Sequence, residues 1–494
     1  MELQRVRSSR QHLLRFASTA AVVTASALFH AHVHVAAGGH AIRPLEQRVT
    51  GSPGVVRKNR APVAPDPPTL APRVTSQAVL ANGAMIVVLE DHRAPTVTLD
   101  IHIDGAGPAC EGDRWGLASI AVQLLQSRAA RWTVDAAGDS GLREASVRVS
   151  AQPGGESATI SVQGPSGSLA AWLEATAKLL AKAVVSPDEL EIAKRQHRAA
   201  FTQRRATPEF LAQQRLVAGL FGSNHADAAA EEVALTALSS EDVTTWYAAR
   251  YVPGRAVIAV SGHVESDQAV RQVSRAFGEW NSGAPSHQTC RSFTRQPSAS
   301  ADRVHLVERP GSVQTTIVVG GAAVSRRHAD YLPLLLMTRI LGDGPTSRLF
   351  VRLREEKGYT YAVSSTVIGT PSPGMWRLAV DMRNEALEDG IRIVLAELER
   401  LRSEAVDRQE LLEAKRSLIA HFALSLESAR QTLSYHVLAA LLPLPPNYWE
   451  SYPRAVMRVT ASDLQRIAKT YASSDTLHIV AVGDTRRLTS VLKN

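Results

Sequence analysis

The sequence predicts an α+β protein made of two homologous α/β-sandwich domains, and three observations predict it. The chain is 494 residues long, more than one hydrophobic core ordinarily holds. Each half opens on apolar strand patterns and continues with amphipathic helical ones, so strands and helices should segregate into packed layers. Finally, LSSEDVTTWYAARYVPGRAVIAVSGHV (238–264) returns as VTASDLQRIAKTYASSDTLHIVAVGD (459–484). Asp242 and Asp463, like Gly262 and Gly483, are 221 residues apart, a period too long for a solenoid and right for a duplicated domain.

Taken in order, residues 1–44 read as a signal-peptide-like leader. Arg5, Arg7, Arg10 and Arg15 precede the apolar run FASTAAVVTASALF and a small-residue segment, the order of a secretory signal. Export to the periplasm or the outside is therefore expected; an organellar transit peptide, leading to the mitochondrial matrix, is the alternative. His30, His32, His34 and His40 are read as incidental to this leader. Residues 45–75 are rich in Pro and Arg and read as a disordered or extended spacer. The first domain, 76–281, opens with strands QAVLANGAMIVVLED and TVTLDIHIDG, turned at Asn82-Gly83. A helix over 113–128 and strands at 143–151 and 157–164 come next. A later helix starts at Ser186, with Pro187 at its first position and Glu189 three residues past the cap. Residues 282–302 read as a linker and 303–494 as the second domain.

Composition narrows the function classes. Hydrophobic residues make up 45% and charged residues 21%, and the net charge of +8 comes partly from the Arg-rich N-terminus and partly from scattered charges. No basic patch interleaved with aromatics occurs, which argues against nucleic-acid binding. Beyond the leader no apolar run approaches membrane-spanning length. Cys110 and Cys290 are the only cysteines, too few for a Cys-based zinc site. They are read as buried or inert thiols, with one bridge left open for an exported chain.

Four segments, LANGAMIVVLED, GLASIAVQLL (116–125), SSEDVTTWYAARYVPGRAVIAVSG and GPTSRLFVRLREEKGYTYAVSS (344–365), together resemble the insulinase/pitrilysin (inverzincin) zinc metallopeptidases. This is peptidase family M16, and the chain is most similar to its half-length, processing-peptidase-like members. The resemblance implies a LuxS/MPP-like metallohydrolase fold and paired chains that close around an unfolded peptide. Active members carry His-x-x-Glu-His, in which two His at i and i+4 hold Zn²⁺ and the Glu activates its water. Placing Gly116-Leu117-Ala118 on that motif puts Ser119 and Gln123 at the His positions and Val122 at the Glu. Counting back from ATPEF puts Ala199 and Ala200 where the family has its third ligand, while His197 and Glu191 fall out of register. His-x-x-Glu-His occurs in neither orientation in the chain. No metal is expected on this chain.

The resemblance gives the second domain a different standing. In RLREEKGYTYAVSS it implies that Arg354 and Tyr361, seven residues apart, reach towards the scissile peptide of a partner's zinc site. A guanidinium fork can hold peptide carbonyls, and a phenol can donate to a forming oxyanion. The plainer reading is an Arg solvated among Glu355 and Glu356 and a Tyr opening a strand. GDGPTS (342–347) resembles, in shortened form, a substrate-binding loop of non-catalytic subunits, and Gly358 is read as the turn between helix and strand. The expectation is a non-catalytic subunit of a heterodimeric zinc peptidase, inactive alone. Its partner would be a homologous zinc-binding subunit and its substrate a peptide. A scaffold, or a peptide-binding protein with the same fold, is the alternative.

Overall fold

The computed structural model describes residues 70, 72–73, 75–112, 114–135, 147–222, 228–280, 290, 303–368, 374–442, 444–473 and 475–484. The leader and most of the spacer and linker lie outside them. Strands of the first sheet are β1 (Ser76–Val79), β2 (Met85–Glu90), β3 (Thr96–Asp104), β4 (Arg148–Pro153), β5 (Ser157–Pro165) and β6 (Ala256–Gly262), in the order β1-β2-β6-β3-β5-β4. The Asn82-Gly83 turn joins β1 to β2, and Asn82 Nδ2 also donates to the Phe277 carbonyl at 2.8 Å. β2 runs parallel to β6, and β3 lies antiparallel between β6 and β5.

The helices of this half are α1 (Leu117–Asp135), α2 (Leu169–Ala181), α3 (Pro187–Arg205), α4 (Pro208–Phe221), α5 (Ala228–Ala237), α6 (Ser240–Arg250) and α7 (Ser266–Phe277). One core joins Ile86, Leu99, Ile101 and Ile160 of the strands to Leu117, Ile120, Trp172, Tyr247 and Phe277 of the helices. The first helix begins at 117 rather than 113. Its opening N–H groups are satisfied from outside by Glu111, whose carboxylate accepts from Gly116 and Ala118 at 2.9 and 2.7 Å.

The second sheet repeats the plan with β7 (Val304–Glu308), β8 (Gln314–Ala322), β9 (Val363–Ile368), β10 (Met375–Arg383) and β11 (His478–Gly483), ordered β7-β11-β8-β10-β9. Its helices are α8 (Tyr331–Gly342), the short α9 (Arg348–Phe350), α10 (Leu387–Ser403), α11 (Arg408–Ser425), α12 (Ala429–Leu441), α13 (Tyr448–Arg458) and α14 (Ala461–Tyr471). A π-helical turn, Val351–Glu356, continues α9. The duplication is visible in the helix caps. Ser186 and Asp407, Thr207 and Ser428, and Ser239 and Thr460 each accept from the first turn of their helix, and each pair is 221 residues apart. Gly262 and Gly483 end matching strands at φ +134° and +155°, where a Cβ would come within 2.2 Å of the Thr96 carbonyl and 2.4 Å of Thr315 Oγ1.

The two halves exchange a helix. Ala212, Leu216, Leu220 and Phe221 of α4 pack on Val318, Val480 and Val482 of the second sheet. Ala429, Leu433 and Val437 of α12 pack on Val87, Leu89, Val257 and Ala259 of the first. Each helix thereby covers the sheet face that its counterpart's own domain leaves open. Arg430 of α12 adds a fork on Asp100 of β3, at 2.9 and 2.8 Å.

Two readings of the sequence change. Cys110 and Cys290 are bonded to each other, with Cα atoms 4.1 Å apart, rather than standing as two inert thiols. The fold brings them together across 180 residues, a proximity no local pattern records. The described end of the spacer is packed: Leu70 lies against the second core, and the Arg73 carbonyl is 3.1 Å from His436 Nε2. No helix among the described residues is long and apolar enough to cross a membrane.

Candidate functional site

The first candidate region is where α1 meets α3. Leu117, Ile120, Ala121, Leu124 and Leu125 turn one face of α1 into the core. Val122 is also buried, 4% exposed. Ser119 and Gln123 lie half-buried on the face between them. Gln123 Nε2 donates to Gln196 Oε1 of α3 at 2.8 Å, and Ser127 Oγ donates to the same oxygen at 2.8 Å. Gln196 precedes Ala200 by one helical turn, so it shares the face of the position that the resemblance assigns to a third ligand; Ala199 and Ala200 are exposed. His197 is buried and stacks on Phe201, with ring centroids 5.9 Å apart.

Neutral amide and hydroxyl groups joined to one another do not fit a zinc centre, which takes imidazole, thiolate or carboxylate donors. Val122 cannot accept a proton. Gln196, which no motif marks, pairs with Gln123 so that the two helices are bridged without a cation. An ion pair holds the two helices in register. Arg128 of α1, 6% exposed, makes a fork on Glu189 of α3 at 3.1 and 3.0 Å and donates to the Lys182 and Val184 carbonyls. The Arg128 hydrogen bonds hold the Glu189 carboxyl down at about 2.

The second region is the π-helical turn and the chain after it. Arg354 NH1 donates to the Tyr361 carbonyl at 2.8 Å. The guanidinium carbon lies 4.6 Å from the Tyr361 ring centre and 5.0 Å from that of Phe350. The pair singled out from the sequence is therefore in contact, and Phe350, one turn earlier, supports it. Tyr361 does not open a strand. It stands two residues before β9, 67% exposed. Gly358 makes the reversal at φ +63°, with Gly358 N–H donating to the Arg354 carbonyl at 3.0 Å and Tyr359 N–H to Leu353 at 2.8 Å. Tyr359 OH donates to Asp389 and Arg383 to the Gly358 carbonyl, at 2.8 and 2.9 Å, which pins the turn to β10 and α10. π-Turns of this kind are frequent at functional sites.

GDGPTS is a tight break between α8 and α9, closed by Ser347 N–H and Oγ on the Gly344 carbonyl at 3.2 and 2.7 Å. Just beyond it, Arg348 makes a fork on Glu410 of α11, at 2.7 Å for both bonds. This fork repeats that of Arg128 on Glu189.

Residues 237–418 match the family described as peptidase M16 inactive domain. An uncharacterized zinc protease of Streptomyces coelicolor is 27% identical over 197 residues, 39% of this chain and 42% of that protein. The chain spans about half the length of the curated relatives it matches. Among solved structures, a peptidase M16 inactive domain from Pseudomonas fluorescens superposes with a TM-score of 0.70 at 21% identity, covering 83% of this chain and 98% of that one. A chain of Complex III2 from Candida albicans gives 0.69 at 15% identity, over 85% and 98%. At these identities the structures attest the fold.

Proposed function

We propose that this chain, a member of the peptidase M16 family, is the non-catalytic subunit of a heterodimeric zinc peptidase. A partner carrying His-x-x-Glu-His supplies the zinc, its ligands and the general base. This chain supplies Arg354 and Tyr361 and part of the wall against which a peptide binds. The carrying observation is the contact between these two side chains on an exposed turn, in a chain whose α1–α3 face holds an amide pair where ligands would stand. Arg354 holds the Tyr361 backbone and lies over its ring, while the side chain stays exposed and its phenol is free to donate to an oxyanion formed beside the partner's ion. β9, which follows at once, is the outer strand of its sheet, so an extended peptide can add to it through main-chain hydrogen bonds.

The bridge between Cys110 and Cys290 favours an oxidising compartment. Together with the leader at 1–44 it supports export to the periplasm or the outside, the mitochondrial matrix being the alternative.

Co-purification from the native cell tests the assignment. The expected companion is a homologous His-x-x-Glu-His subunit whose peptide hydrolysis rises when this chain is added. Recovery of the chain without such a protein overturns it. A scaffold role is the second reading, favoured by the likeness of fold to a Complex III2 chain; hydrolysis by the partner that is equally fast without this chain selects that reading.

A further inference from the structure

The far end of the first sheet carries a group of donors that the peptidase reading leaves unused. β2 and β6 run parallel with Glu90 opposite Gly262. Both strands therefore release the chain on the same side, β2 into Asp91, His92 and Arg93, and β6 into His263, Val264 and Glu265 ahead of α7. Glu90, His92 and Glu265 come together, with one ligand atom from each within 4.8 Å of the others. His92 Nε2 is 3.3 Å from Glu90 Oε2 and 3.9 Å from Glu265 Oε1. Two ligands of a tetrahedral Zn²⁺, at bond lengths of about 2.0–2.2 Å, stand about 3.4 Å apart. The spacing accepts such an ion with a small movement of Glu265, whose side chain is 73% exposed.

The surroundings orient these donors. Glu90 Oε1 accepts from Ser266 N–H, the first residue of α7, at 2.7 Å, which fixes the carboxylate and leaves Oε2 to the cluster. His92 Nδ1 is 3.4 Å from His263 Nδ1, with the rings at 88°. When His92 Nδ1–H donates to His263, the lone pair remains on Nε2, the atom that faces both carboxylates. In that tautomer a cation reconciles the lone pair with the two carboxylate oxygens facing it; in the other, Nε2–H donates to Glu90 Oε2. An imidazole set by a hydrogen bond at its other nitrogen is the usual arrangement of a metal-bound His.

We propose that Glu90, His92 and Glu265 form a binding site for Zn²⁺ or another first-row divalent ion, with His263 as a positioning residue. One imidazole and two carboxylates, completed by water, suit an ion of this borderline class. The site is separate from the degenerate α1 positions. An ion here ties the exit of β2 to the start of α7. It also steadies the loop whose Arg93 donates to the Glu427 carbonyl of the second half at 3.0 Å.

Calorimetric titration of Zn²⁺ into the metal-stripped full chain tests this, with His30, His32, His34 and His40 changed to Ala so that the leader cannot bind. One ion per chain is expected. His92→Ala and Glu265→Gln should each weaken it at least 10-fold and His263→Ala about 10-fold, while Gln123→Ala leaves it unchanged. Unaltered thermal unfolding of the stripped variants shows that each is folded. Absence of binding overturns the proposal, leaving His92 as a hydrogen-bond partner of Glu90, and so does binding that His92→Ala leaves intact. Binding abolished by Gln123→Ala instead places the ion on α1, which overturns the reading of α1 as metal-free as well.

Discussion

One segment occurs in both domains, as α1 and as α8–α9 with its π-turn, and the two copies have kept opposite things. Both are anchored alike. Arg128 forks onto Glu189 and Arg348 onto Glu410; the acids are 221 residues apart, each the third residue of its helix after Ser186 or Asp407. The first copy remains an unbroken helix of 19 residues, with Ser119, Val122 and Gln123 at the positions that the family resemblance assigns to the zinc motif. The second is broken at GDGPTS and ends in a π-turn with Arg354 over Phe350 and Tyr361. On the proposed assignment, scaffold and chemistry are separable. Caps, forks and apolar faces maintain the packing in both copies, whatever happens to the reactive residues.

If the scaffold is shared, injuring it should cost the same in either half. Leu216 of α4 and Leu433 of α12 are buried, at 0% and 2%, in the two helix-exchange contacts. Leu216→Ala and Leu433→Ala should each destabilise the chain by about 2–5 kcal/mol in denaturant unfolding. A loss of that size in one variant alone breaks the equivalence. The chemistry should respond unequally. With the zinc-bearing partner present, Arg354→Ala or Tyr361→Phe should lower peptide hydrolysis by about 10²-fold, the effect typical of an oxyanion donor. Gln123→Ala should leave turnover as it was. Unchanged rates in both second-domain variants remove the assisting role.

How much of this could be read from residues follows the reach of each interaction. The duplication was legible because caps are local: Ser186 with Glu189, or Ser239 with Asp242, is a pattern within one turn. The reading of Ser119, Val122 and Gln123 rests on a motif that spans five residues, which the resemblance alone places on α1. The exchange of α4 and α12 was not, since an amphipathic face says that a helix is buried and not on which sheet. The Cys110–Cys290 bridge and the Arg128–Glu189 and Arg348–Glu410 forks join residues distant in sequence, and Gln196 is an unremarkable amide on a polar helix. Contact between Arg354 and Tyr361 needs the reversal at Gly358; a straight helix would set them about 10 Å apart along its axis.

The fork of the first copy makes one further prediction, on acid stability. Glu189, its side chain 11% exposed, has its carboxyl held at about 2 against an ordinary 4.5, chiefly by the Arg128 hydrogen bonds. A carboxyl lowered in the folded state contributes stability above the unfolded value and loses it as pH falls through the folded one. The contribution should therefore be complete above about pH 5 and decline between pH 4.5 and 2. Glu189→Gln removes the charge and keeps the shape, so at pH 7 it should lower stability by about 3 kcal/mol, with the gap to the parent chain closing towards pH 2. Unfolding free energies measured across this range decide it. A gap that stays constant down to pH 2.5 would mean that the register of α1 against α3 rests on packing, and that the fork shared by the two copies is a marker of their ancestry more than a support.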